Sequence, residues 1–220
     1  MKNVLSDEER KKLDRRIAEA EKRTGAQIVL AVIGRSDAYP DLPWKAFALG
    51  ASLAGLVVFI AGILRPPASS AVAALLSVVA ILSAGAGLTL LCVLIPPVAR
   101  LFLSLQRAEA ETRQYAESLF LSRQMFAAAD RRAVLILIGL FERRIVILPD
   151  TGLADQLQAG ATGRVIDGMR AHLRAGRLAK ALEAGLESLE ALIRREGPSP
   201  GPSCAPANDL PNAVIEEKGV

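Results

Sequence analysis

The stretch AVLILIGLFERRIVIL, residues 133 to 148, holds two apolar runs with a charged turn between them. Residues 133–140 and 144–148 are rich in Val, Ile and Leu, which favour β-strands. Residues 141–143 are short enough to form the turn of a hairpin. The stretch therefore predicts two antiparallel strands, the first of them buried on both faces of a sheet.

A helix and a further buried strand are predicted near the N-terminus. Ser6 and Glu9 match a capping box, and Gly25 suits the left-handed residue that ends a helix. The apolar run at residues 26–33 is typical of a strand buried on both faces. This strand leads toward the membrane side and a long helix returns from it, so the strand at 133–140 is expected to run parallel to it through a right-handed crossover.

Three amphipathic helices complete the predicted domain. They cover residues 104–129, 161–175 and 178–195, and Gly176 separates the last two. The predicted fold class is α/β, with a small mixed sheet made of a β-α-β crossover plus a hairpin and covered by helices. A two-helix transmembrane hairpin is inserted after the first strand.

That insertion is predicted from two long uncharged segments. Residues 46–64 and 71–95 contain no Asp, Glu, Lys, Arg or His, and as helices they would span roughly 28 and 37 Å. A bilayer core is about 30 Å thick, so each segment can cross it once. A soluble domain of this size could not enclose two such helices. The lack of charge inside both segments disfavours a transporter or channel.

Basic residues near the segment ends predict the orientation. Five lie on the side of the two flanks and one in the turn between the helices: Arg35, Lys45, Arg100, Arg107 and Arg113 against Arg65. Because cytoplasmic loops carry the excess of Lys and Arg, both termini are expected to be cytoplasmic. Residues 1–9 have no apolar signal-peptide core. The predicted location is a two-pass protein of the cytoplasmic, or inner, membrane.

The chain is accordingly divided into four segments. Residues 1–43 and 104–196 are two parts of one α/β domain, and residues 44–103 hold the transmembrane hairpin. Residues 197–220 are rich in Pro, Ser and Gly, which predicts an extended, poorly ordered tail.

Composition narrows the range of partners. The net charge is +4 and the isoelectric point near 9.3, but the basic residues lack interleaved aromatics, so nucleic acid is not expected as a partner. The expected partners are the lipid bilayer and a membrane or envelope protein. Cys92 and Cys204 are the only cysteines, which excludes a disulfide framework or a paired-cysteine zinc site.

Several short motifs resemble the TPM domain, in the branch that carries a membrane insertion in bacteria. They are Ser6-Asp7-Glu8-Glu9, Thr24-Gly25-Ala26-Gln27, Phe141-Glu142-Arg143-Arg144, Asp150-Thr151-Gly152, Leu173-Arg174-Ala175-Gly176 and Asp209-Leu210-Pro211-Asn212. Asp130-Arg131-Arg132 departs from the Thr-Gly pair that usually precedes this strand in the family. The resemblance implies an α/β fold and either accessory roles or an acid phosphatase activity linked to an acidic metal site.

The predicted topology brings three carboxylates to one edge of the sheet: Asp130, Asp150 and Asp155. Oxygen ligands of this kind suit Ca²⁺ or Mg²⁺. The alternative is that Asp150 caps a turn with Thr151 and Gly152, while Asp130 pairs with a nearby arginine. Both interpretations stay open.

Two arginines are candidates for binding phosphate, Arg131 beside these carboxylates and Arg164 near a helix start. Thr162 as an ordinary N-cap explains the second motif equally well. His172 is the sole histidine, and a boundary or surface position on an amphipathic helix is expected for it. The residues that would carry catalysis cannot be named, because no Ser-His, Cys-His or Walker arrangement occurs.

Two functions follow. The first is a membrane-anchored accessory or protein-interaction module without catalysis of its own. The alternative is a divalent-metal-dependent phosphatase with its acidic site at the strand ends.

Overall fold

A computed structural model of the chain describes residues 5–64, 71–196 and 214–219. Its elements in chain order are α1 (Asp7–Thr24), β1 (Gln27–Arg35), α2 (Asp41–Leu64), α3 (Ala71–Leu94), α4 (Pro96–Leu101), α5 (Leu105–Ser122), β2 (Ala133–Gly139), β3 (Arg144–Pro149), α6 (Ala159–Arg174), α7 (Leu178–Glu196) and β4 (Ile215–Gly219). Short 3-10 turns at Met125–Ala127, Ala129–Arg131 and Thr151–Leu153 flank the start of β2 and the end of β3. The predicted α/β class is confirmed.

The strands form one mixed sheet in the order β3-β2-β1-β4. β1 and β2 are parallel, with Gln27 opposite Ala133 and Ile33 opposite Gly139. β2 and β3 are antiparallel and form the hairpin that the apolar runs predict. The parallel crossover and the hairpin are therefore both confirmed.

Helices cover both faces of the sheet. Ile28 and Leu30 of β1 enter an apolar core that includes residues of α1, α6 and α7. Val29 and Ala31 point the other way, into a second core that includes residues of α5. This alternation explains why the runs at residues 26–33 and 133–140 are apolar at every position, because side chains on both faces are buried.

α1 begins and ends where its capping residues predict. The Glu9 N–H donates to Ser6 Oγ at 3.3 Å, and the Ser6 N–H donates to Glu9 Oε2 at 2.9 Å. These hydrogen bonds lower the pKa of Glu9, the backbone bond from Ser6 contributing most. Gly25 ends the helix with φ at 63°, a conformation that other residues rarely adopt.

The helix predicted for residues 104–129 is shorter than expected. α5 ends at Ser122, and Gln124 takes a left-handed conformation with φ at 52°. Met125 is then fully buried in the core of the α5 face. The apolar spacing of Met125 predicts a continued helix, whereas the side chain is buried from a 3-10 turn that follows the left-handed Gln124.

The prediction of a poorly ordered tail through residue 220 is wrong for its last part. Ile215–Gly219 forms β4, which pairs in parallel with β1. Val214, directly before it, is buried in the core on the α1 face. Ion pairs to other parts of the chain hold this charged segment, and composition alone does not reveal them. Residues 197–213, where the tail prediction also applies, lie outside the described residues.

The chain divides into two compact units. The sheet unit consists of Met1–Asp37 and Glu109–Val220, and the hairpin unit is Ala38–Ala108. The predicted transmembrane segment, residues 44–103, falls inside the hairpin unit.

Within the hairpin unit, α2 and α3 pack closely through small residues. A Cβ atom at Gly50 would lie 2.8 Å from the Ala84 carbonyl oxygen, and one at Gly85 would lie 2.8 Å from the Phe47 ring. Thr89 Oγ1 donates to the Gly85 carbonyl at 3.0 Å. Both helices are long and apolar enough to cross a membrane.

Candidate functional site

Asp150 lies directly after β3, beside the start of β2. Its backbone N–H donates to the Ala133 carbonyl at 2.8 Å, which extends the hairpin by one bond. Its Oδ1 accepts a hydrogen bond from the Thr151 N–H at 2.7 Å and another from Arg131 Nη2 at 2.9 Å. The carboxylate therefore both caps the following 3-10 turn and binds a guanidinium.

The two partners of this ion pair differ in exposure. The Asp150 side chain is buried, whereas the Arg131 side chain is 51% exposed. Asp150 Oδ2 is also buried and has no hydrogen-bond partner among the described residues. A buried carboxylate needs a compensating charge or hydrogen bonds, and Arg131 supplies the charge from the surface.

Close backbone packing holds the two loops of this site together. A Cβ at Gly152 would overlap the Asp130 carbonyl oxygen and lie 2.8 Å from that of Arg131. Asp130 and Arg131 both have positive φ, at 53° and 55°. Gly152 is therefore required by the approach of the 3-10 turn that precedes β2.

A further buried carboxylate lies at the same end of β1. Glu21 Oε1 accepts a hydrogen bond from the Ile28 N–H at 2.9 Å. Burial raises the pKa of Glu21, and the bond from Ile28 opposes that shift without cancelling it. Glu21 thus ties the last turn of α1 to the start of β1.

A second polar cluster lies at the opposite end of these strands. Glu142 Oε1 accepts a hydrogen bond from the Ser36 N–H at 2.8 Å, and Ser36 Oγ lies 3.3 Å from Thr112 Oγ1. All three side chains are more than nine-tenths buried. Gly139 provides the space, since a Cβ there would lie 2.8 Å from Glu142 Oε2.

This cluster joins the chain segments that lead into and out of the hairpin unit. Ser36 is two residues before Ala38, where that unit begins, and Thr112 is four residues after Ala108, where it ends. Arg35 adds a contact to the same hairpin turn, with its guanidinium 4.3 Å from the centre of the Phe141 ring. The turn at residues 140–143 and the two segments it contacts, around Ser36 and Thr112, all belong to the sheet unit.

A family model described as the TPM domain matches residues 74–192, more than half of the chain. The chain belongs to the TPM domain family. The match includes Asp150, Arg131, Glu142 and Thr112, so both clusters lie mainly in the part of this TPM protein that the model covers.

The fold of this TPM protein is similar to that in the NMR structure of the BA42 protein from the psychrophilic bacterium Bizionia argentinensis. The two chains are 14% identical, the alignment covers 98% of this chain and 97% of the other, and the TM-score is 0.58. At this identity the likeness concerns the fold alone. No curated protein matches the chain.

The three carboxylates predicted as metal ligands are not gathered into one group in this TPM domain. Asp130 and Asp155 are exposed, and Asp150 Oδ1 is engaged by Arg131 and Thr151. In the part of the chain that the structure describes, no three His, Cys, Asp or Glu residues form a group that could hold a metal ion. The expected approach of the Asp130 and Asp150 loops is correct, whereas metal binding by these carboxylates stays a prediction.

The arginines predicted to bind phosphate have different surroundings. Arg131 is bound to Asp150, whereas Arg164 is exposed on α6. The N-cap of α6 is Gln158 rather than Thr162, whose hydroxyl donates to the Ala159 carbonyl at 3.1 Å inside the first turn. The alternative explanation of Thr162 as an N-cap is thus wrong by one turn.

His172 lies in the last turn of α6 and is half-buried, as expected for a boundary position. By contrast, the sequence shows Glu142 only as part of a charged turn, and its burial was missed. The one local signal is Gly139, three residues earlier, which leaves room for the carboxylate. Ser36, which donates to Glu142, is 106 residues away along the chain, and Thr112, which contacts Ser36, is 30 residues away.

Proposed function

We propose that this TPM protein is anchored in the bacterial cytoplasmic membrane and acts there as an accessory or protein-interaction module, without catalysis of its own. The observation that carries the proposal is the apolar surface of α2 and α3. Phe59, Ile63 and Leu94 are 66%, 65% and 66% exposed, and many other large apolar side chains of these helices are exposed as well. An exposed apolar surface this large marks a membrane or protein contact.

Helix length supports a bilayer as the contact. Each helix has 24 residues and is therefore roughly 36 Å long, which exceeds the thickness of a bilayer core. In the most apolar 18-residue stretch of each helix, only 6% of α2 and 11% of α3 is buried, which is unlike the core helices of a soluble protein. Trp44, 75% exposed in the first turn of α2, is of the type that anchors helices at a membrane interface.

Charges near the start of α2 support the proposed orientation. Asp41 binds Lys45 at 2.7 Å and Arg107 at 2.8 Å, so these basic residues gather at the end of the hairpin unit where the chain enters and leaves. The excess of Lys and Arg on this side favours a cytoplasmic position for both termini.

Two contacts support a role without catalysis. Asp150 is engaged by Arg131 and a backbone amide, and Glu142 receives a backbone amide inside a buried cluster. Both carboxylates thus hold chain segments together. The alternative, a divalent-metal-dependent phosphatase, is favoured only by the hydrogen-bonding capacity left at Asp150 Oδ2.

The membrane proposal is tested by two matched substitutions of exposed leucines. Leu56 on α2 is 54% exposed and Leu121 on α5 is 63% exposed, so Leu→Arg removes little packing at either position. In a bilayer, however, an arginine at residue 56 costs about 3 kcal/mol. We expect Leu56→Arg to lower the carbonate-resistant membrane fraction several-fold in bacterial cells and Leu121→Arg to leave it unchanged. Equal behaviour of the two variants would contradict the proposal.

Orientation is tested by thiol labelling of right-side-out vesicles with a membrane-impermeant maleimide. The native Cys204 is expected to react only after the vesicles are opened. A cysteine introduced as Ser69→Cys, in a Cys204→Ser chain, is expected to react in intact vesicles. The reverse pattern would place the termini outside.

The alternative function is tested by titrating the purified chain in detergent with Ca²⁺ and, separately, Mg²⁺. The proposal predicts no metal-dependent rise in melting temperature for the wild type. A rise that Asp150→Asn abolishes would instead support the phosphatase and justify assays with phosphoesters.

A further inference from the structure

β4 is one of the two edge strands of the sheet and belongs to the last described segment of the chain. It pairs in parallel with β1, with Ala31 opposite Ile215 and Arg35 opposite Gly219. β4 spans five residues, an ordinary strand length, and side-chain contacts add to its pairing with β1. The contacts that hold it are therefore informative about what this edge recognises.

Charged groups bind β4 on both faces of the sheet. Glu216 Oε1 lies 3.0 Å from Arg10 Nη2 of α1. Glu217 receives hydrogen bonds from the Tyr115 hydroxyl of α5 at 2.7 Å and from Arg123 Nη2 at 3.2 Å. Burial and the adjacent Glu217 raise the pKa of Tyr115 to about 12, so this hydroxyl stays a donor at neutral pH.

Apolar and backbone contacts fix the position of β4 along β1. Val214 is buried, and its N–H donates to Asp14 Oδ1 at 3.2 Å. A Cβ at Gly34 would lie 2.8 Å from the Lys218 carbonyl oxygen, so the absence of a side chain there admits the strand. The edge of β1 thus recognises an extended segment with an apolar pair followed by two acidic residues.

The receiving surface and the strand belong to separate parts of the sequence. The groups described above that bind β4 and Val214 come from residues 10–35 or from α5 and the residue just after it. Between the end of α7 and Val214 lie residues 197–213, seventeen residues that reach up to roughly 56 Å when extended. For comparison, a 100-residue domain has a radius of gyration of about 13 Å. The length of this connection therefore does not restrict β4 to the sheet of its own chain.

We propose that β4 is an exchangeable strand and that the edge of β1 accepts the β4 of a second copy of this chain, giving a dimer with reciprocally exchanged strands. Each contact made by Glu216, Glu217 and Val214 is reproduced between the copies. The exchange keeps these contacts and changes the entropies of the connection and of association, and such exchange is a low-cost route to dimers. The proposal is independent of the accessory function.

Charge reversal separates exchange from pairing within one chain. Arg10→Glu alone places two acidic groups together within a chain, and Glu216→Arg alone places two basic groups together. When these two full-length variants are mixed in detergent, each strand meets an opposite charge only on the other chain. The double variant Arg10→Glu with Glu216→Arg is the matched control, because it restores the opposite charges within one chain.

Hydrogen exchange of the β4 amides and the mass by light scattering are the two readouts. We expect at least a tenfold loss of amide protection in each single variant, and a mixed dimer with restored protection after mixing. The double variant is expected to keep the wild-type protection. Monomers that stay unprotected after mixing, beside a protected double variant, would overturn the proposal.

If the single variants keep full protection, cysteines placed on two different chains test the exchange instead. In a Cys92→Ala, Cys204→Ala background, one tagged chain carries Ala31→Cys and the other Ile215→Cys, so a link between these positions must join two chains. A cross-linked heterodimer that increases with protein concentration supports exchange. No heterodimer, while a chain with both cysteines links internally, would overturn it.

Discussion

Glu142 and Asp150 are buried carboxylates at opposite ends of the same β-hairpin, and their partners differ. Glu142 binds the Ser36 amide within a cluster whose members are all buried. Asp150 binds Arg131, whose side chain is half-exposed. The burial of a carboxylate alone therefore does not say how strongly a fold depends on it. The exposure of its partner decides how much stability is lost when the contact is removed, since water can replace only a partner that it reaches.

The largest effect is expected from Glu142→Ala. This change leaves the buried Ser36 N–H without an acceptor and opens a cavity, which together should cost about 3 kcal/mol. Thermal unfolding in detergent should show a fall in melting temperature of roughly 6–12 °C. Glu142→Gln is the control, because it keeps the shape and an acceptor oxygen, and a smaller fall is expected. Equal falls for both would contradict the role of the hydrogen bond.

Gly139→Ala tests the same cluster from the other side. Its Cβ would lie 2.8 Å from Glu142 Oε2, so we expect destabilisation by about 1–3 kcal/mol. In a Glu142→Ala chain the added methyl group has space, and its cost should fall below half of that value. Additive effects in the double variant would show that the two residues do not compete for this space.

Smaller effects are expected at the Asp150 end. Asp150→Ala removes the acceptor for the Thr151 amide and for Arg131, which should cost about 2 kcal/mol. Arg131→Ala should cost about 1 kcal/mol, because solvent reaches the guanidinium and partly replaces it. Denaturant unfolding of both variants measures the difference. A larger cost for Arg131→Ala than for Glu142→Ala would reverse the comparison.

The smallest effect, and one that depends on pH, is expected at Glu21. Its pKa is raised in the folded state, so the folded chain holds this proton more tightly than the unfolded chain does. Stability from this group is fully present below the ordinary glutamate pKa and is lost as pH rises through the raised value. Glu21→Gln removes the charge. The melting temperature of this variant, relative to that of the wild type, should therefore rise when the pH is raised from 4 to 7.

Glu21→Ala is the control for this prediction. It removes the acceptor of the Ile28 amide and should lower the melting temperature at both pH values. If Glu21→Gln shows the same difference from the wild type at pH 4 and pH 7, the raised pKa does not contribute to stability.

The strands and the hairpin helices could be predicted because their signals are local. Unbroken apolar runs at residues 26–33 and 133–140 match strands buried on both faces, and Gly25 ends α1 as its position indicates. Metal ligation by Asp130, Asp150 and Asp155 was inferred from loop adjacency. The loops do meet, but Asp130 and Arg131 take left-handed conformations there, which set the directions of their side chains. No pattern in the sequence predicts these conformations.

The sequence by itself determined the elements, namely the capped first helix, the apolar strands and the two long uncharged segments that form most of α2 and α3. Periodicity and capping act over a few residues, so these features can be read in order along the chain. Only the tertiary structure decided that Glu142 is buried and that residues 215–219 form a strand. Their partners lie 106 residues away for Glu142 and Ser36, and 102 for Glu217 and Tyr115. Charged residues in a turn or tail have no intrinsic preference for burial, and such distant partners supply it.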